Sequence, residues 1–173
     1  IRKSEARLRS IFKVSPVGIG VTAGRVVLEV NDRFCRMTGY SGDELVGKSV
    51  RQLYLSDEEF DRVGTRQYNQ IRQTGTGTIE TQWVKKDGTV IDILLSSTPL
   101  DPATISGGVT FTALDITERK RAERALRESE ERYRTVFENT GAATMILEEN
   151  TIISLVNDEF ERLSGYTREE IET

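Results

Sequence analysis

The opening of this chain is written twice. Arg2, Ser4, Glu5, Arg7, Arg9 and Phe12 recur 125 residues later as Arg127, Ser129, Glu130, Arg132, Arg134 and Phe137. Val30-Asn31-Asp32-Arg33-Phe34 returns as Val156-Asn157-Asp158-Glu159-Phe160 at an offset of 126, one insertion near Thr151 accounting for the extra residue. Thr38-Gly39-Tyr40-Ser41 returns as Ser164-Gly165-Tyr166-Thr167. A repeat period fixes the size of the folding unit. The 173 residues therefore hold one full unit and the first third of another. The expected division is an N-terminal helix over 1–13, a domain over 14–117, a helical linker over 118–137, and a truncated second copy over 138–173.

Local signals give the order of elements. Pro16 stops the first helix, because a residue before proline avoids helical angles. Residues 17–22 and 26–30 are β-rich and flank Ala23-Gly24-Arg25, a hairpin turn. Asn31 or Asp32 caps a short helix, and Gly39 supplies its left-handed end. Residues 41–56 read as short helical turns. A longer helix is expected over 57–74, with Phe60, Val63, Tyr68 and Ile71 facing inward and Gly75 as its stop. Three strands follow at 78–85, 90–98 and 108–116. Lys86-Asp87-Gly88-Thr89 turns the first hairpin as a type I′ or bulged loop, and Pro99 and Pro102 end the second strand. Five strands with helices gathered on one face make an α+β domain over an antiparallel sheet.

The linker is the most regular stretch. Ala122, Leu126, Ser129, Tyr133 and Val136 are spaced 4, 3, 4, 3 along it, which keeps them on one helical stripe. Glu123–Arg127, Glu128–Arg132 and Glu130–Arg134 stand at i,i+4 with the acid first, each worth a few tenths of a kcal/mol. Thr117 is placed to cap the start. The copy of the stripe at Ile1, Ser4, Leu8 and Ile11 predicts parallel helix pairing in a homodimer. The plainer alternative is a surface helix with one buried face.

Four motifs in this order, Asn31-Asp32-Arg33-Phe34 with Thr38-Gly39-Tyr40, Glu44-Leu45-Val46-Gly47, Lys86-Asp87-Gly88, and Asp115-Ile116-Thr117-Glu118-Arg119-Lys120, resemble a PAS domain with its C-terminal PAC segment. The resemblance covers residues 5–120 and resumes over 130–173 as the start of a second repeat. It implies a five-stranded antiparallel sheet with helices cupped over one face, and a sensing or dimerisation role in a multidomain signalling protein. It further implies a downstream effector in the same chain, of sensor-kinase, cyclic-dinucleotide-enzyme or chemoreceptor type, and an ion pair between Glu44 and Lys85 or Lys86. Asp115, Ile116 and Thr117, where the last strand becomes the outgoing helix, are the expected transmission residues. Ile11, Ala122, Leu126 and Tyr133 are the expected dimer stripe.

A small ligand would sit between the long helix and the sheet, near Phe34, Met37, Tyr54, Tyr68, Trp83 and Ile93. The competing expectation is a constitutive dimerisation or scaffold domain whose core these side chains fill. No cofactor is named by the sequence. Histidine is absent, which removes imidazole-ligated haem and the usual general base. Cys35 lies outside any motif like that of the flavin-binding light sensors and reads as a small core residue. Ser41-Gly42-Asp43-Glu44-Leu45 looks like a cyclic-dinucleotide signature, yet it opens a short helix. Gly75-Thr76-Gly77 lacks the partners of a phosphate loop. Asp57-Glu58-Glu59 is the acidic first turn of a helix. The fragment is expected to be non-enzymatic. Its net charge of −4 argues against nucleic acid. Its short apolar runs argue against membrane contact. A lone cysteine suits a reducing, cytoplasmic setting, whatever anchors the parent protein carries.

Overall fold

The computed structural model describes residues 2–101, 104–149 and 152–171. Ile1 of the helical stripe, Pro102 and Thr151 lie outside them, as do the side chains of Ser4 and Leu8. The chain divides into two compact units, Ile1–Lys120 and Arg121–Thr173.

The first unit begins with helix α1 (Arg2–Val14) and the hairpin β1 (Gly18–Ala23) and β2 (Val26–Val30). The short helices α2 (Asp32–Thr38) and α3 (Gly42–Leu45) and a 3-10 turn (Val50–Leu53) follow, then the long helix α4 (Asp57–Thr74). Strands β3 (Gly77–Val84), β4 (Val90–Asp101) and β5 (Thr104–Asp115) complete it and lead into α5 (Thr117–Glu138). The five strands form one antiparallel sheet in the order β2-β1-β5-β4-β3. This is the expected α+β architecture.

Three helix starts in the first unit have a chemical cause. Asn31 accepts from the Phe34 N–H, and Ser56 accepts from the Glu59 N–H. Ser41 and Glu44 close a reciprocal capping box, which satisfies two otherwise free donors. The turn between β3 and β4 is the bulged form rather than type I′. Gly88 alone in it has positive φ, and the Lys85 carbonyl accepts from the Gly88 N–H.

The core lies between one sheet face and the helices. On β3, Ile79, Thr81 and Trp83 point inward while Thr78, Glu80 and Gln82 point out. On β4, Ile91, Ile93, Leu95 and Ser97 do the same. Phe34, fully buried, meets Trp83 and Phe111 edge to face at 5.7 and 5.3 Å between ring centroids. Along α4, Val63, Gly64 and Ile71 are buried, whereas Phe60 and Tyr68 are half-buried at its margin.

Two expectations need correction. Strand β4 does not end at Pro99 but runs through it to Asp101, and β5 starts at Thr104 rather than near residue 108. Strand β3 stops at Gly77, opposite Ser97, so beyond that point one edge of β4 is unpaired. A proline without an N–H is tolerated there, with a register shift between Pro99 and Asp101. On the linker helix, Arg127 pairs with Glu131 one turn onward at 2.9 Å. Glu128, Glu130, Arg132 and Arg134 make no ion pair among the described residues.

Lys86 binds Glu44 across 42 residues of sequence, deciding between the two lysines. The Lys86 ammonium, helped by the Ser41 backbone N–H, holds the Glu44 carboxyl at about 2. A folded-state value below the ordinary 4.5 means this group stabilises the fold above that value, and the contribution disappears as pH falls toward 2. Glu44→Gln should therefore flatten the loss of stability on acidification. The check is the urea midpoint at about pH 6 and about pH 3; parallel losses in both proteins would contradict it.

The second unit, taken by itself, pairs β6 (Met145–Leu147) with β7 (Ile153–Val156) and adds α6 (Asp158–Ser164) and α7 (Arg168–Ile171). Met145, Ile146, Leu147 and Leu163 are all exposed. Its elements repeat the opening of the first unit, including Asn157 as a helix cap and Gly165 in the left-handed conformation. No helix among the described residues is long and apolar enough to cross a membrane.

Candidate functional site

A cleft opens between α4, the β1–β2 turn and the inner face of β3–β5. It encloses about 500 Å³ of space, its solvent-open mouth included. Of the expected residues, Phe34, Tyr54, Tyr68 and Trp83 line it. Met37 and Ile93 do not. Met37 is spent on covering Gly18, whose missing side chain leaves room for it, and Ile93 is fully buried in the core cluster. The wall that sequence reasoning missed consists of Thr22, Leu95, Ser97, Val109 and Phe111 from the sheet, Gly64, Gln67 and Ile71 from α4, and Arg25 and Val50.

Arg25 is the unexpected member. It occupies the second position of the β1–β2 turn with φ 65°, the single non-glycine residue with positive φ among those described. A side chain in this region costs roughly 1 kcal/mol. Instead of pointing into water, its guanidinium lies over the Phe60 ring, with Cζ 3.1 Å from the centroid, and donates to the Phe60 carbonyl. Gly64 makes this possible: a Cβ there would stand 2.6 Å from an Arg25 terminal nitrogen. A glycine inside a helix costs about 1 kcal/mol relative to alanine. That cost, readable from the sequence, was the available hint that something approaches α4 closely.

The electrostatics are unbalanced. Burial pulls the Arg25 pKa down, and the neighbouring Tyr54 and Tyr68 oxygens only partly offset it. Its carboxylate partner, Asp61, stands 4.0 Å away with its side chain 77% exposed. Burial likewise pushes the Tyr54 phenol up. The Trp83 indole N–H is buried with no acceptor in hydrogen-bonding geometry.

The second feature is the junction between β5 and α5. Asp115, Ile116 and Thr117 lie together there, tied to β4. The Ile116 N–H donates to the Asp92 carbonyl at 2.9 Å, and the Thr117 hydroxyl accepts from the Asp92 N–H at 2.9 Å. Thr117 is thus not the cap expected from its position. The Asp115 carboxylate accepts from the Thr117 N–H at 3.0 Å, which leaves the hydroxyl to serve the strand. Lys120 reaches Glu80 at 2.8 Å and Asp92 at 3.7 Å, and Arg119 reaches Glu80 at 3.1 Å. The first turn of α5 is thereby held to both β3 and β4.

A family model described as "PAS domain" matches residues 15–118, and one described as "PAS fold" matches residues 131–172. The chain belongs to the PAS domain family. Among curated proteins this PAS domain is similar to the sensor protein TdiS of Thauera aromatica, with 34% identity over 122 residues, covering 70% of this chain and 22% of that protein. It is also similar to the C4-dicarboxylate transport sensor protein DctS of Rhodobacter capsulatus (30% identity; 63% of this chain and 17% of that protein). Sporulation kinase A of Bacillus subtilis is 29% identical, over 73% of this chain and 20% of that protein. The chain thus spans about a fifth of the curated relatives it matches, all three of which are sensor or kinase proteins by name.

Solved PAS structures share the fold. The PAS domain of a protein from Colwellia psychrerythraea superposes with a TM-score of 0.61 at 20% identity, covering 66% of this chain and 98% of that one. A PAS domain solved with ethanol, from a LuxR-family transcriptional regulator of Burkholderia thailandensis, gives 0.59 at 22% identity, covering 62% and 96%.

In the PAS domain, Asn31 does more than cap. Its Oδ1 accepts from the Ile19 and Phe34 N–H groups, and its Nδ2 donates to the Phe12 and Val17 carbonyls. One side chain joins the end of α1, the first strand and α2. Asn157 makes the corresponding set in the second unit, to Thr144, Phe160, Phe137 and Ala142. Cys35 is half-buried on α2 away from the cleft lining, and burial pushes its thiol up. The stripe residues Ile11, Ala122, Leu126 and Tyr133 are exposed in the single chain.

Proposed function

We propose that this PAS module senses a small ligand in the cleft beneath α4 and relays occupancy through the sheet to α5, and from there to an effector elsewhere in the same chain. The observation behind this reading is a shared pair of strands. Trp83, Leu95 and Ser97 on β3 and β4 line the cleft, and Glu80 and Asp92 on the same strands hold the first turn of α5. A ligand that shifts these strands acts on the helix without any intervening loop. It changes the helix only by as much as it prefers one arrangement of the strands. Asp115, Ile116 and Thr117 are the transmission residues in this account, and the fragment itself performs no catalysis. The ethanol held by the Burkholderia PAS domain supports a small occupant. The sensor-kinase relatives support a kinase-type effector. Residues 138–173 are then the beginning of a second PAS repeat, and a cytoplasmic setting suits the lone cysteine.

Native mass spectrometry of the purified chain tests the reading, paired with amide exchange at Ile116 and the first turn of α5. A released small molecule whose removal speeds exchange there supports it. Absence of any adduct, with exchange insensitive to small molecules, leaves the scaffold role. A second observation favours dimerisation alongside sensing. Leu126, Tyr133 and Val136 are 62, 74 and 62% exposed on one stripe of α5, more apolar surface than a solvated helix needs. The double substitution of Leu126 and Ile11 to Glu should shift a dimer to monomer by light scattering. An unchanged mass would remove that interface from the account.

A further inference from the structure

We infer that the cleft is built for a small organic carboxylate with an apolar body, bound by Arg25 as its anchor with the Trp83 indole N–H as a second donor. This rests on the cleft being a ligand site and adds the chemistry of the occupant.

Three observations converge on it. First, two donor groups at the cleft have spare capacity. The Arg25 guanidinium carries five N–H groups, of which one meets the Phe60 carbonyl. Its ion-pair partner is distant and wet. Trp83 is 2% exposed, and its N–H reaches no acceptor in full hydrogen-bonding geometry, with the Tyr54 hydroxyl oxygen only in loose reach. The Tyr54 hydroxyl lies close to both the guanidinium and the indole, so the three groups share one corner of the cleft. Second, the fold accepts two local costs to put the guanidinium there: a positive φ at Arg25 and a glycine inside α4. An arginine needed only for the turn would be served by glycine at φ 65° and would leave position 64 free for alanine. Third, much of the remaining wall is apolar, from Phe34, Ile71, Leu95 and Phe111, alongside the polar Thr22, Gln67, Tyr68 and Ser97. A hydrated inorganic anion gains nothing from the apolar side chains. A neutral apolar ligand leaves the remaining guanidinium N–H groups and the indole N–H without a full-strength acceptor, a cost of desolvated polar groups that a carboxylate removes. A planar carboxylate also matches the guanidinium fork.

The test uses the intact chain, whose one tryptophan is Trp83, so its fluorescence reports on the cleft directly. Benzoate and benzamide, matched in shape and differing in charge, are titrated with sulfate as a bare-anion control. Saturable change with benzoate, at least tenfold weaker with benzamide and absent with sulfate, is the expected result. Arg25→Gln should weaken benzoate by about tenfold or more. Gly64→Ala should do the same by displacing the guanidinium, while the helix gains propensity, which separates lost binding from lost folding. Benzamide binding as well as benzoate, unaffected by either variant, would overturn the carboxylate assignment and leave a ligand cleft of neutral specificity. A Trp83 signal unresponsive to all three compounds would overturn the assignment. If native mass spectrometry also finds no adduct, the ligand-sensing reading fails with it.

Discussion

Phe34→Ala should destabilise the first unit by about 3–5 kcal/mol, the usual cost of emptying a buried aromatic site. Phe34 is fully buried in the middle of the core, and two edge-to-face pairs, to Trp83 and Phe111, converge on its ring. Each such pair adds about 0.5–1.5 kcal/mol beyond area burial. The surroundings are poorly able to collapse into the space. Tyr54 bridges backbone to backbone with Trp83, and Ala113 and Leu53 are already fully packed. The loss would consume much of the roughly 5–15 kcal/mol that holds a domain of this size together. Urea unfolding followed by Trp83 fluorescence gives the number directly. A loss below about 1 kcal/mol would mean that the aromatic cluster is not the centre of the core.

Asn31→Ala should cost about 2–4 kcal/mol, well above the loss of an ordinary helix cap. The side chain is 2% exposed and serves four backbone groups at 2.9 to 3.1 Å. Its removal leaves two N–H donors and two carbonyls in need of partners, and buried unpaired groups of this kind cost about 1–3 kcal/mol each before water repairs some of them. Asn31→Asp separates the two halves of the role. Aspartate caps a helix as well as asparagine does, so it keeps the bonds to Ile19 and Phe34. It would, however, place an oxygen against the Phe12 and Val17 carbonyls. The aspartate variant should therefore lose nearly as much stability as the alanine variant. An aspartate protein as stable as the parent would reduce Asn31 to a cap and sever the tie to α1.

Asn31 also shows where reading the sequence stops. That it or Asp32 caps α2 follows from their place before Phe34, a signal three residues long. That its amide reaches back to Phe12 and Val17 depends on where α1 ends in space. Thr117 repeats the lesson. Its place at the start of α5 suggested a cap, but Asp92, 25 residues away, claims the hydroxyl. Strand β4 runs past Pro99 because β3 happens to stop beside it. Within the cleft, the aromatic members Phe34, Tyr54, Tyr68 and Trp83 were legible because their size and apolar character assign them to a core. Met37 and Ile93 share that character and pack elsewhere.

The amino-acid order alone determined the repeat, the helix ends set by Gly39 and Gly75, the strand alternation and the fold family. Each is written within a few neighbouring residues or in a motif repeated along the chain. Only the folded molecule decided that Arg25, at a hairpin tip, turns inward beneath Gly64, and that Asp92 and Glu80 grip the outgoing helix. Those partners are 25 to 40 residues apart. Contacts between such distant positions leave no periodicity to read, and they exist only once the sheet has brought the strands and α4 together.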